Sequence, residues 1–189
     1  MAVERLTVGA KAMGVRLTPA QVAAFHRYRE ELLAWNQKVN LTAITRPEEV
    51  EVKHFLASLS VLLAVPERLR PGMRVLDVGT GGGFPGVPLK IACPDVRLTL
   101  LDSVQKKAGF LRHLIAVLEL ADVQVVTDRA EVRAHDSAFR EQFDLVVARA
   151  VADLAVLAEL TLPFCDVGGR VVLGKKSAAS EEVQRAAEA

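Results

Sequence analysis

Cysteine is almost missing from this chain. Cys93 and Cys165 stand 72 positions apart in apolar sequence, with no Cys-x-x-Cys pair and no histidine at ligand spacing. A disulfide framework and a zinc site are therefore not expected, and a reducing cytosol is. An excess of one charge is also lacking: 24 Lys and Arg face 23 Asp and Glu, for a net charge of +1. Whole-protein attraction to nucleic acid or membrane is weak, so any polyanion must be met by a local patch. No apolar run can span a bilayer, the 59–65 stretch being far too short, and Glu4 and Arg5 interrupt what would be the core of a signal peptide. The four histidines, His26, His54, His113 and His135, form no His-x-x-x-His pair. The expectation is a soluble cytoplasmic protein without metal.

What is present fits one globular domain: 189 residues, 51% hydrophobic and 25% charged, enough to bury roughly 70% of the surface of the unfolded chain. Thr18-Pro19-Ala20-Gln21 places a capping Thr before a first-turn Pro, with Gln three residues on. Val22, Phe25, Tyr28, Leu32, Trp35 and Val39 then recur at helical spacing, which predicts a helix ending near Asn40. Thr45-Arg46-Pro47-Glu48 repeats the start signal, and Val50, Leu56, Leu59, Leu62 and Leu63 mark a second helix stopping before Pro66. Residues 1–70 thus read as a helical extension. After Pro71-Gly72 short β-branched runs at 74–78, 96–101, 123–127, 143–148 and 169–173 alternate with helical stretches. Continuous apolar strands separated by helices predict an α/β fold, a doubly wound parallel sheet over 71–189 with ligands outside the carboxyl ends of its strands. A last helix is expected at 180–189, which leaves an apolar edge at Val171 to Leu173.

The strongest local signal is Asp77-Val78-Gly79-Thr80-Gly81-Gly82-Gly83-Phe84-Pro85-Gly86, directly after the first strand. Glycines at 79, 81 and 83 let the backbone bend and approach a ligand, and Asp102 follows Gly79 by 23 positions at the end of the second strand. An ordinary glycine-rich turn explains the glycines alone, but not the strand, loop, helix and second carboxylate together. Asp77 would repel the pyrophosphate of a dinucleotide and would suit a cation. S-adenosylmethionine supplies an ammonium and a sulfonium, and its ribose hydroxyls could donate to Asp102. The expected ligand is therefore S-adenosylmethionine, ahead of NAD, with Asp77, Gly79, Gly81 and Asp102 around it.

Trp35-Asn36, Asn40-Leu41-Thr42-Ala43-Ile44, Lys53-His54-Phe55, the 77–86 loop, Leu100-Leu101-Asp102-Ser103, Lys106-Lys107, Phe110-Leu111, Arg129-Ala130-Glu131 and Ala148-Arg149-Ala150-Val151-Ala152 occur in that order. Together they closely resemble the RsmG family, also called glucose-inhibited division protein B, from about Thr18 to Lys175. The resemblance implies a class I methyltransferase fold with a Rossmann-like sheet and an N-terminal helical extension. It implies an enzyme that methylates N7 of a guanine in the 530 loop of 16S ribosomal RNA, guanine 527 in conventional numbering. It also implies that Gly79 and Phe84 line the cofactor site, that Ala130 and Glu131 meet the adenine end, and that Arg149 completes the pocket. Without it, Glu131 and Arg149 read as a solvated loop charge and a strand-end salt bridge. The chain departs from the family at Ala57, where Asp is usual in a His-x-x-Asp-Ser segment, and at Lys176, where Gly is common. The resemblance also implies two final strands after the fifth, which are not expected within this sequence.

Guanine N7 carries an in-plane lone pair and no proton, so it can attack a sulfonium methyl without a general base. Positioning residues are expected rather than a catalytic dyad, with Arg149 and Lys175 as candidates at the substrate rim. The resemblance implies 16S rRNA or the 30S subunit as substrate, and a monomer is expected. Basic candidates for RNA are Lys106, Lys107, Arg112 and His113, then Arg129 and Arg133, then Lys175 and Lys176, with Arg27, Arg29 and Lys38 on the first long helix. His54 either borders the substrate mouth or bonds within its helix. Two other readings compete: a non-catalytic RNA-binding module on a methyltransferase scaffold, and a dinucleotide-dependent oxidoreductase. The second would need a catalytic His, Lys or Tyr past the fourth strand, where only Arg149 and Asp153 stand.

Overall fold

A computed structural model describes residues 3–65, 69–149 and 153–174. Its centre is a five-stranded, all-parallel sheet of β1 (Arg74–Val78), β2 (Arg97–Asp102), β3 (Val123–Thr127), β4 (Phe143–Arg149) and β5 (Cys165–Gly174). The order is β3-β2-β1-β4-β5, so the winding direction reverses between β1 and β4. At such a switch point a ligand crevice lies outside the carboxyl ends of the two strands.

Side chains alternate between the two faces of each strand, and the core divides accordingly. Val75, Leu98, Leu100, Leu145 and Val147 face one cluster; Leu76, Val78, Leu101, Val146 and Ala148 face the other. The second face is covered by α8 (Leu154–Thr161) and the 3-10 turn Leu162–Phe164 through Leu157 and Phe164. The first is covered by α5 (Gly86–Ala92) and α6 (Gln105–Val117), and also by the N-terminal helices. Leu6, Phe25, Tyr28, Leu32, Phe55 and Leu59 belong to that same continuous cluster. The helical segment therefore shares its core with the sheet.

The predicted capping box is present: Thr18 Oγ1 accepts from Gln21 N–H, and the Gln21 side chain accepts from Thr18 N–H at the head of α2 (Pro19–Asn36). Gln21 also donates to the carbonyls of Ile91 and Ala92, docking α2 on the end of α5. The helix stops at Asn36 rather than near Asn40, because the Asn36 side chain accepts from the amides of Leu41 and Thr42 and donates to the Thr42 carbonyl. Those bonds turn the chain back.

The expected second helix is not one regular helix. α3 (Pro47–Val50) starts from Arg46 with no side-chain cap, so Thr45 does not cap it. A π-helical turn, Glu51–Leu56, follows, then α4 (Ala57–Leu59) and a 3-10 turn, Ser60–Ala64. The wide π turn brings Glu51, His54 and Phe55 inward together. Glu51 pairs with buried Arg29 and accepts from the amides of Arg5 and Leu6, which caps α1 (Glu4–Ala12). Three segments of the chain are thereby tied at one carboxylate.

Two further differences concern the sheet half. Residues 130–133, expected as loop, form the short helix α7 (Ala130–Arg133), and β5 begins at Cys165, ahead of the predicted 169. β5 is the outer strand of the described sheet, with Val171 and Leu173 half-buried. The expected helix at 180–189, Lys175 and Lys176 lie outside the described residues. Among the described residues no helix is long and apolar enough to cross a membrane, and no group of three His, Cys, Asp or Glu could hold a metal ion.

Candidate functional site

The loop after β1 sits in the crevice and is held from several sides. The amides of Gly79 and Thr80 donate to the Leu101 carbonyl at the end of β2, and Gly81 N–H donates to Asp102 Oδ2 at 2.8 Å. The buried Tyr28 hydroxyl of α2 donates to the Gly82 carbonyl. Gly81 has φ +59°, a left-handed conformation that favours glycine, and a Cβ there would meet only the Gly79 carbonyl oxygen, at 3.9 Å. Gly86 is constrained differently: a Cβ would lie 2.8 Å from both Asp77 Oδ2 and Leu100 Cδ2, so α5 can approach the sheet only without a side chain.

Asp77 does not occupy the expected position. It shares a face with Val75 and points beneath the loop, fully buried, where Oδ2 accepts from Thr80 Oγ1 and from Gly86 N–H, each at 2.7 Å. Among the described residues its Oδ1 meets no hydrogen-bond partner. Burial pushes its pKa up to about 7, against the opposing pull of the Thr80 and Gly86 bonds and of the Arg149 charge. Strand alternation turns Asp77 under the loop, where its carboxylate meets Thr80 and Gly86 rather than either cavity.

Two cavities flank the loop. The first, about 680 Å³, is lined by Gly79, Asp102, Val104, Ala130, Glu131 and Arg149 among others. Asp102 keeps its carboxylate at the strand end, with Oδ1 accepting from Val104 N–H. Each of its oxygens retains a second acceptor site. Glu131 is exposed and paired with Arg129; bonding to its own backbone and then to Arg129 holds its pKa below the usual value. The size is ordinary for a pocket taking one small molecule.

The second cavity, about 780 Å³, lies on the other side of the loop, between Gly79 to Phe84 and the segment from Leu41 to Ser60. Gly79 and Arg149 line both cavities. Phe84 lines this cavity and not the first. Its ring is stacked between Tyr28, at 5.3 Å, and His54, at 4.3 Å. The Arg149 guanidinium lies 5.3 Å from the same ring. It also donates to His54 Nδ1 at 2.7 Å and to the carbonyl of Lys53 at 3.1 Å. Burial draws the pKa of Arg149 down, while Tyr28 and Asp77 pull it up.

The basic candidates scatter. Arg29 is buried against Glu51 and cannot meet RNA; Arg27 and His113 both bind Glu31, and His113 lies against Trp35. Lys106, Arg112 and Arg129 are exposed, and Lys53 lines the second cavity beside Ala57. Thr42, Tyr28 and Thr80 were not singled out as site residues. For Thr42 the signal is Asn36, an amide five positions before Leu41 at a helix end, which folds the 41–44 turn toward the loop.

A model of the family GidB, rRNA small subunit methyltransferase G, matches residues 21–189. The chain belongs to this family. It is 47% identical to "Ribosomal RNA small subunit methyltransferase G" of Dehalococcoides mccartyi strain CBDB1 over 97% of this chain and 77% of that protein. With the protein of the same name from Roseiflexus castenholzii the identity is 51%, over 94% and 74%. Among solved structures, the ribosomal protein L11 methylase from Lactobacillus delbrueckii subsp. bulgaricus superposes with TM-score 0.57 at 17% identity, covering 72% of this chain and 67% of that one. A SAM-dependent methyltransferase from Thiobacillus denitrificans, in complex with S-adenosyl-L-homocysteine, gives TM-score 0.50 at 22%, covering 70% and 54%. The fold is that of class I S-adenosylmethionine-dependent methyltransferases, and S-adenosylmethionine is the family's methyl donor.

Proposed function

We propose that this chain transfers a methyl group from S-adenosylmethionine to N7 of a guanine in the 530 loop of 16S rRNA, guanine 527 in conventional numbering. The observation that carries the choice of atom is the make-up of the second cavity. Among its described lining residues there is no carboxylate, and its one imidazole, His54, is engaged at both ring nitrogens, by Arg149 and by Thr42. Such a wall offers no general base. An acceptor bearing a proton would need one, whereas guanine N7 does not.

The two cavities then take donor and acceptor, meeting where Gly79 and Arg149 border both. Asp102 receives the ribose hydroxyls on its remaining acceptor sites, Val104 and Ala130 enclose the adenine, and Glu131 meets the adenine's outer end. Gly79 would leave room for the amino-acid tail where the two cavities meet, with Gly81 on the acceptor side, and Arg149 would face its carboxylate. The donor supplies a sulfonium-bound methyl, an electrophile that needs only an aligned lone pair. What the protein contributes is alignment, held by a loop bonded at Leu101, Asp102, Tyr28 and Asp77, and exclusion of water by the Phe84 and His54 stack. Lys175 and Lys176 remain candidates for contacts with the RNA backbone. An rRNA substrate makes the cytoplasm the place of action and 16S rRNA or the 30S subunit, met by a monomer, the expected partner.

The test is transfer of labelled methyl to small-subunit particles and to naked 16S rRNA lacking the modification, with the label mapped to its base and atom. Label at N7 of the 530-loop guanine is expected. Cofactor binding without transfer would favour the non-catalytic RNA-binding reading, and label on a protonated nitrogen or on oxygen would overturn the choice of atom.

A further inference from the structure

The wall of the second cavity contains a hydroxyl whose hydrogen-bonding sense is fixed. His54 Nδ1 lies 2.7 Å from an Arg149 guanidinium nitrogen. A guanidinium has only donors, so Nδ1 accepts, and the proton of the neutral ring sits on Nε2. Nε2 is 2.7 Å from Thr42 Oγ1, to which it therefore donates. Ile44 N–H donates to the same oxygen at 3.0 Å, closing a local turn. A hydroxyl oxygen has two lone pairs and one proton. Both lone pairs of Thr42 are filled, and among the described residues no acceptor meets its proton. Thr42 lines the cavity, so the remaining tetrahedral direction is a donor presented to whatever occupies it.

We propose that Thr42 is a specificity-determining residue: its hydroxyl, set as a donor by His54, reads the carbonyl oxygen that neighbours the accepting nitrogen of the target base. This rests on the reading that the acceptor is guanine N7, whose adjacent ring substituent is the O6 carbonyl. Adenine presents at the same place an amino group, itself a donor, and two donors facing each other in a half-enclosed site leave both unpaired. Guanine is accepted and adenine refused. His54 is a positioning residue here: it acts through Thr42, and Arg149 acts through His54 by fixing the tautomer. The stack of His54 on Phe84 keeps the ring in the plane that this relay requires.

The experiment uses the full chain and reconstituted 30S particles whose 16S rRNA carries guanine, 2-aminopurine or adenine at the target position. 2-Aminopurine keeps N7 and lacks O6. With wild type, kcat/KM is expected to fall roughly ten- to a hundredfold from guanine to 2-aminopurine, the usual effect of an unmet buried donor. Thr42→Val should lose a similar factor on guanine and nothing further on 2-aminopurine, while Thr42→Ser should recover most of the loss. His54→Phe retains a flat ring for the stack but frees one lone pair of Thr42, so its guanine-over-adenine ratio should drop and adenine particles should begin to be methylated. Unchanged melting temperature and S-adenosylmethionine affinity in Thr42→Val separate a reading defect from a folding defect. Equal losses by Thr42→Val on guanine and on 2-aminopurine, or no loss on guanine, would overturn the proposal. Failure of the wild type to label guanine N7 would instead sink the parent reading and leave the Thr42 geometry to another acceptor.

Discussion

Asp77 shows how a side chain's partner depends on which face of a strand it occupies. Its place before the glycines was legible, and so was its importance, but the sequence does not reveal on which side of the strand it falls once the loop closes. The structure gives it two loop donors, Thr80 and Gly86, and no view of either cavity. The two roles make different predictions. If the carboxylate selected the cofactor by charge, Asp77→Asn and Asp77→Ala would be equally damaging. As a loop anchor, Asp77→Asn keeps an oxygen for Thr80 and Gly86 and should leave S-adenosylmethionine affinity within about threefold of wild type, while Asp77→Ala loses both bonds and should weaken it by tenfold or more in calorimetric titration. The raised pKa adds a pH signature. Burial lifts it from 3.8 to about 7, so between those values the folded state binds more protons than the unfolded chain, and the contribution of Asp77 to stability falls as pH rises through that window. Asp77→Asn abolishes this loss. The difference in melting temperature, variant minus wild type, should therefore increase by several degrees from pH 5 to pH 8.

Among the elements, those governed by local chemistry were readable and those governed by tertiary contacts were not. The box formed by Thr18 and Gln21 needs only neighbours in sequence, and β1 and β3 follow from β-branched runs whose ends coincide with the predicted 74–78 and 123–127. Thr45 carried the same start signal without acting on it, because Arg46 is the residue at the boundary. The π turn has no sequence mark at all. It exists because Glu51, His54 and Phe55 each have a distant partner, and a regular helix would turn them out of line. Glu51 binds Arg29 and the first amides of α1, His54 binds Arg149, and Phe55 packs on Phe25 and Tyr28. Glu51→Ala takes the carboxylate from the buried ion pair with Arg29 and opens the head of α1, with an expected cost of about 3–5 kcal/mol and a fall in melting temperature on the order of 10 °C. The double variant Arg29→Met, Glu51→Leu removes both charges, and calorimetry should return most of that loss. If the double variant were no better than Glu51→Ala, the amides of α1 would be the part that matters, not the ion pair.

At the scale of the molecule, the doubly wound sheet and the crevice at its switch point were legible from alternating strands and helices, and the first cavity from Gly79 and Asp102. The second cavity was not, since one wall is supplied by residues 41–60 and the other by the loop, two segments that nothing local relates. Their meeting depends on the continuous core beneath them, in which Phe25, Tyr28 and Phe55 of the N-terminal segment pack with Val75, Leu100 and Val147 of the sheet. A helical extension with a core of its own would unfold on its own; one that borrows the face of the sheet should not. Trp35 offers the probe, being the single tryptophan and lying at the joint, 5.7 Å from Phe110 of α6 and 5.0 Å from His113. In urea, Trp35 fluorescence and far-ultraviolet circular dichroism should trace one transition with the same midpoint and slope. A chain beginning at residue 70 would expose the apolar face left by α2 and the π turn, together with half of the second cavity, and is expected to aggregate rather than fold. An earlier fluorescence midpoint than the dichroism midpoint, or a soluble cooperative fragment from residue 70, would mean that the acceptor wall is a detachable part, and that the alignment of base and donor is made on binding rather than built into the core.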